Sequence, residues 1–300
     1  MANDFSMKSY LNRMDLGEGV RPLTGEELLK LQEVMLEIYG DVFDACERNG
    51  LRLFLQGGTL LGKVRHGGFI PWDDDMDLGM MRPHYNKLIR IFDSELREKY
   101  ILRAPGYHEG TVTRFINIYK KDSYLDKVDM PKRAPRKVGI DIFPIDFCPD
   151  GKLLRTIKGV ECNGIVFLSS SRDFREFCTP EIREGLLKTP KGTVNYFLRQ
   201  AAAGLSRPLP IDSLFNLADK AARGRGRTDF CTSSMGRWHY LGEMQKTSTF
   251  LPLKRSEFCG KRAWTLHDED AYLRHNYGPD YMEIPPKSKR EMHFIKKISL

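Results

Sequence analysis

Residues 56–62 read Gln-Gly-Gly-Thr-Leu-Leu-Gly, and residues 71–79 read Pro-Trp-Asp-Asp-Asp-Met-Asp-Leu-Gly. The first stretch follows a short apolar run at 51–55, whose length is typical of a buried strand. The glycine pair then turns the chain into a short helix that we expect to end near Arg65. The second stretch leads into a strand predicted over 76–81. Together they predict strand, helix and strand in succession, with acidic side chains where the second strand begins.

The sequence on both sides of this block predicts further alternation of helices and strands. Thr24 and Glu27 form a capping box in front of an apolar stripe at helical spacing that ends at Asn49-Gly50. Arg82-Pro83 opens another helix, because proline suits the first helical turn. Strands are predicted at 99–104, 112–119 and 138–143. Residues 23–150 are therefore expected to form an α+β catalytic core in which helices flank a mixed β-sheet.

The second half of the chain has a different pattern. Helices are predicted near 152–178, 180–203, 212–222 and 268–277, with strand-like pieces near 228–232 and 248–264. We expect residues 151–300 to form a mainly helical C-terminal lobe that completes the substrate site. Residues 1–22 are polar and are expected to be a loosely ordered N-terminal segment.

Composition and charge limit the class of protein. Apolar residues make up 41% of the 300-residue chain, which is enough for a sizeable core. The net charge of +8 favours polyanionic partners such as nucleic acid, anionic lipid or a phosphate-bearing substrate. The basic excess is diffuse and has no interleaved aromatic platform, which disfavours nucleic acid. Charge alone does not choose between lipid and substrate.

The cysteines and the apolar segments indicate the compartment. The six cysteines are scattered, with none within three residues of another, so no zinc knuckle or CxxC pair is present. Such cysteines are typical of buried thiols in a reducing compartment. The first twenty residues contain no apolar signal region, and no apolar run approaches the roughly 20 residues of a membrane span. We therefore expect a cytoplasmic protein that is at most peripheral to the inner face of the cell membrane.

The acidic stretch predicts a metal site. Its four carboxylates repel one another, so a fold that concentrates them needs compensation. Alternate side chains of a strand point the same way, so Asp75 and Asp77 are expected to share a face, and Asp73 joins them if the extended geometry starts early. Such hard oxygen ligands suit Mg²⁺ or Mn²⁺. A solvated acidic loop is disfavoured because Met76 and Leu78 alternate into a core.

A calcium-binding EF-hand loop is excluded by the same stretch. A loop starting at Asp73 needs glycine at its sixth place and glutamate at its twelfth. Leu78 and His84 occupy those positions.

The glycine pair supplies a complementary phosphate site. Gly57 and Gly58 lie between a strand and a helix, where backbone N–H groups can approach a phosphate at the helix N-terminus. A glycine turn followed by an Asp-x-Asp strand resembles the nucleotidyltransferase superfamily, which adds a third carboxylate from a later, adjacent strand. Asp141, a single acid among strand-forming apolar residues at 139–144, is the best candidate. Asp146 is its rival, but we expect it to lie past the end of that strand.

Residues 57–77, Gly-Gly-Thr-Leu-Leu-Gly-Lys-Val-Arg-His-Gly-Gly-Phe-Ile-Pro-Trp-Asp-Asp-Asp-Met-Asp, resemble the signature of the LicD family almost position for position. That family includes the catalytic domains of fukutin and fukutin-related protein. The segment 140–144 and the late element 277–286 also resemble LicD features. The chain departs from the family at Cys259, where the pattern has glutamate between phenylalanine and glycine.

The resemblance implies a phosphotransferase with a nucleotidyltransferase-like core. LicD proteins transfer a phospho-alcohol such as phosphocholine from a CDP-linked donor, for example CDP-choline, to a hydroxyl of a cell-surface glycan or its lipid-linked precursor. Asp75 and Asp77 would then hold Mg²⁺ or Mn²⁺, and Asp141 would complete the metal shell or accept the hydroxyl proton.

Several neighbouring residues fit the same chemistry. Gly57, Gly58 and Thr59 would line the phosphate site, with Lys63, Arg65 and His66 as basic partners from the loop. His66 could equally hold the loop. Supporting roles around the metal ligands are predicted for Asp73, Asp74 and Trp72, with Trp72 packed under the acidic loop.

Other basic or titratable positions receive plainer interpretations. Arg114, on the strand predicted at 112–119, could face the site, but a solvated strand face is the favoured interpretation. His239 is expected in the core or at its rim, and the run 223–227 in an exposed loop. The basic tail, comprising Lys287, Lys289, Arg290, Lys296 and Lys297, could contact an anionic membrane.

Two other functions remain open from the sequence. The same site could move NMP from an NTP to a sugar phosphate or to RNA, with pyrophosphate rather than CMP as the product. Alternatively, the chain could be a non-catalytic polyanion-binding protein, with steeply salt-dependent binding that does not need the acidic cluster.

Overall fold

The computed structural model describes residues 19–128, 130–287, 290 and 294–300. Most of the predicted N-terminal segment and Lys289 of the basic tail lie outside these residues. Within them the chain folds into a mixed β-sheet with flanking helices, which confirms the predicted α+β class.

The first half of the chain follows the predicted order of elements. The strands are β1 (Arg21–Pro22), β2 (Phe54–Leu55), β3 (Asp77–Met81), β4 (Tyr100–Arg103), β5 (Ile116–Lys120), β6 (Tyr124–Lys127) and β7 (Gly139–Cys148). The helices are α1 (Gly25–Arg48), α2 (Gly57–His66) and α3 (Arg82–Glu95). Strands β1 and β6 were not predicted, because neither has an apolar run of the length of a strand.

The start of α1 lies at the predicted residue but is not held by the predicted capping box. Thr24 is the N-cap residue, yet its side chain makes no capping hydrogen bond. Glu27 instead accepts two hydrogen bonds from the Arg21 guanidinium, at 2.6 and 2.8 Å. The buried stripe of α1 packs into the main core, so packing rather than capping holds this helix.

The central sheet places β3 and β7 side by side. Its strand order is β10-β11-β2-β3-β7-β5-β4, where β10 is Lys254–Phe258 and β11 is Lys261–Thr265. β3 pairs with β7 in parallel, and Asp77 lies opposite Asp141. β5 pairs with β7 antiparallel on its other side, with Asn117 opposite Asp141. The sheet therefore places three polar side chains side by side.

Strand β7 is longer than predicted. It continues through Pro144 to Cys148, so the expectation that Asp146 lies past the strand was wrong. The extension is stabilised at Asp146, which is fully buried and accepts hydrogen bonds from Arg82 at 2.8 and 2.6 Å. Arg82 also donates to Asp219 at 2.5 Å. A buried arginine with two carboxylate partners thus joins the sheet to a helix of the second half.

The second half contains helices and also strands that join the core sheet. The helices are α4 (Lys152–Phe177), α5 (Pro180–Leu187), α6 (Pro190–Leu205), α7 (Ile211–Ala222), α8 (His239–Gly242), α9 (Thr247–Phe250) and α10 (Glu269–Tyr277). The additional strands are β8 (Phe230–Thr232), β9 (Gln245–Lys246) and β12 (Phe294–Ser299). β8 pairs with β7, and β12 lies between β1 and β6 in a separate sheet. The division at residue 150 remains a prediction.

The single helix predicted over 180–203 is two helices. Pro190 stands in the first turn of α6, and the Thr189 side chain caps that helix by accepting a hydrogen bond from the Gly192 N–H at 3.1 Å. A proline and a capping threonine are a helix start signal, which separates α6 from α5.

Candidate active site

A cavity of about 760 Å³ opens at the edge of the central sheet where β3 begins. All five predicted acidic residues line it, namely Asp73, Asp74, Asp75, Asp77 and Asp141. Asp73, Asp74 and Asp75 each offer a carboxylate oxygen, and these oxygens lie within 4.8 Å of one another. We call these five residues the acidic edge.

Asp75 and Asp77 line the same cavity, but Asp75 is not a strand residue. β3 begins at Asp77, so Asp75 belongs to the preceding loop and strand alternation does not orient it. The loop brings Asp73, Asp74 and Asp75 together instead. Asp74, predicted to support the ligands, is buried and forms an ion pair with Lys127 at 3.0 Å.

The glycine pair lies against the acidic edge. Gly57 has φ +56°, and a Cβ on it would lie 2.7 Å from Asp77 Oδ2. A Cβ on Gly58 would lie 3.1 Å from Asp73 Oδ2. The Gly57 N–H donates to the Tyr272 hydroxyl at 3.2 Å. Glycine is thus required here because the helix start and the carboxylates approach so closely.

Thr59 is a buried residue that holds the backbone of the acidic edge. Its hydroxyl accepts a hydrogen bond from the backbone N–H of Asp77 at 2.8 Å, and its side chain is buried rather than part of the cavity lining. The Asp141 carboxylate is held by Asn117, whose amide donates to Oδ1 at 2.5 Å. These two contacts position the paired strand residues.

The three basic residues predicted to bind phosphate do not line the cavity. Lys63 forms an ion pair with Glu269 at 2.6 Å. Arg65 donates to the carbonyl oxygens of Tyr281 and Glu283, at 2.9 and 3.1 Å, and to His66 Nε2 at 3.0 Å. These contacts hold residues 269–283, the late segment, against α2. The local sequence cannot reveal this role, because the partners lie far apart in the chain.

Trp72 lies at the boundary between this late segment and the cavity. It lines the cavity, and its ring meets the His66 ring edge-on at 5.7 Å between centroids. The Arg290 guanidinium lies over its face at 4.0 Å. Trp72 was predicted to pack under the acidic loop.

Six arginines and lysines that line the cavity were not predicted as site residues. They are Arg114, Lys127, Arg133, Lys137, Arg199 and Arg237. Arg114 was interpreted as part of a solvated strand face, and this was wrong: it lies before β5 and its Nε is 3.7 Å from Asp173 Oδ2. No local pattern marks the others, because a surface arginine and a cavity arginine have the same sequence signature.

The loop and turn at 236–243 add two titratable groups to the lining. Burial raises the pKa of the Glu243 carboxyl to about 7, against the effect of the Trp238 N–H that donates to it at 3.1 Å. Burial, with help from Arg114 and Arg199, lowers the pKa of His239 to about 4. His239 was expected in the core or at its rim, and it instead lines the cavity.

The acidic edge fits a divalent cation. Clustered carboxylate oxygens are the ligands that Mg²⁺ and Mn²⁺ prefer, and a cavity beside them leaves room for a phosphate-bearing substrate. Such a group of carboxylates beside a cavity is suited to metal-assisted phosphate transfer.

The chain is similar to known phosphotransferases. Residues 50–156 match the family described as LicD/FKTN/FKRP, nucleotidyltransferase domain. The chain is 42% identical over 279 residues to the lipopolysaccharide cholinephosphotransferase LicD of Haemophilus influenzae, an alignment that covers 90% of this chain and 97% of that protein. A 39-residue stretch is 54% identical to the ribitol 5-phosphate transferase FKRP of mouse and of human, covering 13% of this chain and 8% of each relative. The chain belongs to the LicD family and is a phosphotransferase.

Proposed function

We propose that this protein transfers a phospho-alcohol, phosphocholine or a close analogue, from a CDP-activated donor to a hydroxyl of a cell-surface glycan or its lipid-linked precursor. The observation that carries the proposal is the acidic edge within one cavity, next to the glycine start of α2. The relative from Haemophilus influenzae is a cholinephosphotransferase for lipopolysaccharide, which supports both the alcohol and the glycan acceptor.

Asp75, Asp77 and Asp141 are the proposed ligands of Mg²⁺ or Mn²⁺, and we add Asp73 because its carboxylate is clustered with that of Asp75. When bound, the cation would neutralise charge that develops on the leaving phosphate. Asn117 keeps Asp141 oriented, and Thr59 fixes the backbone of Asp77. We assign Asp141 the ligand role because the sheet places it directly beside Asp77.

The protein's other groups would act on the substrates. The N-terminal end of α2 at Gly57 and Gly58 is proposed to lie against the donor diphosphate. Cations of the cavity lining would balance the substrate charge, and the packed aromatic and apolar lining would limit access of water.

The test is the release of CMP from CDP-choline and CDP-ribitol by the purified protein, with Mg²⁺ or with EDTA. Asp75→Asn and Asp77→Asn should each lower the rate of transfer at least about a hundredfold while the circular dichroism spectrum is unchanged, because each removes a fixed charge at the reacting centre. Asp122→Asn, an exposed aspartate outside the cavity, is the control and should keep full activity. Retained turnover in either cavity variant would refute the assignment.

The same assay separates the alternative activity. A nucleotidyltransferase would release pyrophosphate from an NTP and would leave CDP-alcohols intact. Salt-dependent polyanion binding that persists in Asp75→Asn, with no CMP from any donor, would favour a non-catalytic role.

We also place the reaction at the inner face of the cell membrane, where a lipid-linked acceptor would be reached from the cytoplasm. None of the helices in the described part of the chain is long and apolar enough to cross a membrane. Apolar side chains are nevertheless exposed on α4 and α6, beside lysines, and these faces are the proposed contact.

A further inference from the structure

A second group of residues, all of them basic in type, lines the same cavity as the acidic edge. Arg114 lies before β5, Arg199 projects from α6, and His239 begins α8. All three residues line the one cavity. Burial and Arg114 lower the pKa of Arg199, and burial and both arginines lower the pKa of His239. We call them the basic cluster.

The carboxylates near this cluster already have arginine partners. Asp173, which is buried, accepts a short hydrogen bond from Arg133 and lies 3.7 Å from Arg114. Glu176 accepts a hydrogen bond from Arg133 at 2.9 Å. The two carboxylates therefore interact with Arg133 and Arg114, and neither of them forms an ion pair with Arg199.

Arg199 has only neutral partners among the described residues. Its guanidinium donates to Asn195 Oδ1 at 3.0 Å and to Ser170 Oγ at 3.3 Å. It also lies 5.4 Å from the Phe167 ring and 5.6 Å from the Phe174 ring. Partial burial of a cation whose partners are neutral is costly, and an anion that enters the cavity would offset this cost.

His239 provides an uncharged polar group at the same place. Its Nδ1 is buried and has no hydrogen-bond partner among the described residues. Since its pKa lies near 4, the ring is neutral at physiological pH, and one ring nitrogen can donate to an anion.

We propose that Arg114, Arg199 and His239 form an anion subsite, separate from the acidic edge, that binds a phosphate or carboxylate group of a substrate. Arginine suits such a group because its planar fork can bond two oxygens at once. The naming of the substrates rests on the proposed function, whereas the binding of an anion does not.

The subsite is close enough to the acidic edge for a donor and an acceptor bound together in the cavity to contact both. Arg114 is three residues from Asn117, whose amide contacts Asp141, so their Cα atoms are at most about 11 Å apart. Phe115, the residue after Arg114, packs against Phe143 with ring centroids 4.3 Å apart. Two sources of the anion are compatible with this spacing: the donor diphosphate, or an anionic group on the acceptor glycan.

Binding of inorganic phosphate in EDTA tests the subsite without metal or turnover. Thermal shift and calorimetric titration should give binding to the wild-type protein and to the Asp75→Asn/Asp77→Asn double variant. Arg199→Gln and Arg114→Gln should each weaken phosphate binding at least about tenfold, as expected for loss of a charge-assisted hydrogen bond. Arg199→Lys, which keeps the charge but loses the fork, should fall between.

Arg207→Gln is the matched control, because this exposed arginine follows α6 outside the cavity lining. Equal phosphate affinity in Arg199→Gln, Arg114→Gln and Arg207→Gln would overturn the proposal. Loss of binding only in the aspartate variant would overturn it as well. Failure of the proposed function is distinguishable, since it would leave phosphate binding intact while no CDP-alcohol is consumed.

Steady-state kinetics then identify the source of the anion. A donor group at the subsite predicts that Arg199→Gln raises KM for CDP-choline at saturating acceptor. An acceptor group predicts a raised KM for lipopolysaccharide and no such effect on the same lipopolysaccharide after enzymatic dephosphorylation and carboxyl reduction. A change in neither KM, with kcat/KM for both substrates at the wild-type value, would contradict a role in substrate binding.

Discussion

Two aspartates in strand β7 have opposite environments although they stand five residues apart. Asp141 lines the cavity, whereas Asp146 is fully buried against Arg82. An odd spacing places two strand residues on opposite faces of a sheet, so only one of them can face the cavity. The same rule applied to the sequence would have excluded Asp146, had the strand been predicted to continue past Pro144.

Glu243 is a residue whose protonation should control stability near neutral pH. Burial raises the pKa of its carboxyl from 4.5 to about 7 in the folded protein. The folded state therefore binds more protons than the unfolded state between these values, and stability falls as pH rises through about 7. We expect Glu243→Gln to remove this dependence, which is on the order of 3 kcal/mol. Urea unfolding at pH 5 and pH 8 measures it.

Glu257→Gln is a matched control for that experiment, because Glu257 is an exposed residue of β10. Its variant should show the same change in unfolding free energy between the two pH values as the wild-type protein. The interpretation fails if Glu243→Gln retains the full wild-type dependence.

At the scale of elements, the junction between α2 and β3 decides the geometry of the acidic edge. The helix starts at a glycine with positive φ, and Thr59 of that helix holds the first residue of the strand. The helix and the strand therefore share one boundary, and a change at Gly57 should affect both stability and activity.

We predict that Gly57→Ala lowers the free energy of unfolding by about 1–2 kcal/mol, the cost of a non-glycine residue in the left-handed region. Its methyl group would also meet Asp77 Oδ2 at 2.7 Å, so transfer activity should fall by more than stability explains. Chemical denaturation and CMP release measure the two effects. Metal affinity should fall in parallel.

Gly50→Ala separates the backbone cost from the contact with Asp77. Gly50 also has positive φ, at +67°, but no atom lies within 4 Å of the position of its Cβ. It should lose similar stability and keep its activity. Equal activity of Gly57→Ala and Gly50→Ala would show that Gly57 has no special role at the site.

At the scale of the whole molecule, the structure combines a cavity that contains many charged side chains with exposed apolar helix faces. Leu153, Ile157 and Val160 of α4 are 73%, 55% and 60% exposed, and Phe197 and Leu198 of α6 are 60% and 57% exposed. Exposed large side chains on one helix face, with lysines nearby, are typical of surfaces that contact anionic lipid. The basic tail is less available than its sequence suggests, since Arg290 lies over Trp72.

We predict that the protein sediments with vesicles containing 30% phosphatidylglycerol and not with pure phosphatidylcholine vesicles. The Phe197→Ser/Leu198→Ser variant should bind the anionic vesicles at least about tenfold more weakly, because two apolar side chains no longer enter the lipid interface. Leu29→Ser is the control, since Leu29 is 60% exposed on α1, away from α4 and α6. Equal binding of all three proteins would contradict a contact through α6.

The fold class could be predicted from the alternation of helix and strand patterns. Four of the five residues of the acidic edge could be predicted because their determinants are close together in the chain, whereas Asp141 lies far from them in sequence. Residues 56–79 contain the helix start, the loop carboxylates and the first residue of β3, so short-range geometry limits where these groups can lie. The extension of β7 could not be predicted in the same way, since it depends on the buried partner Arg82 more than sixty residues away.

The sequence by itself determined that this chain carries a LicD-type signature, an α+β core and a concentration of carboxylates at one strand start. Only the tertiary structure decided which cations reach the cavity: Lys63 and Arg65 fasten the late segment, whereas Arg114 and Arg199 line the cavity from elements far apart in the chain. The physical reason is that a long basic side chain is compatible with solvent, an ion pair or a cavity wall. Packing between distant elements selects among these environments, and local patterns do not record it.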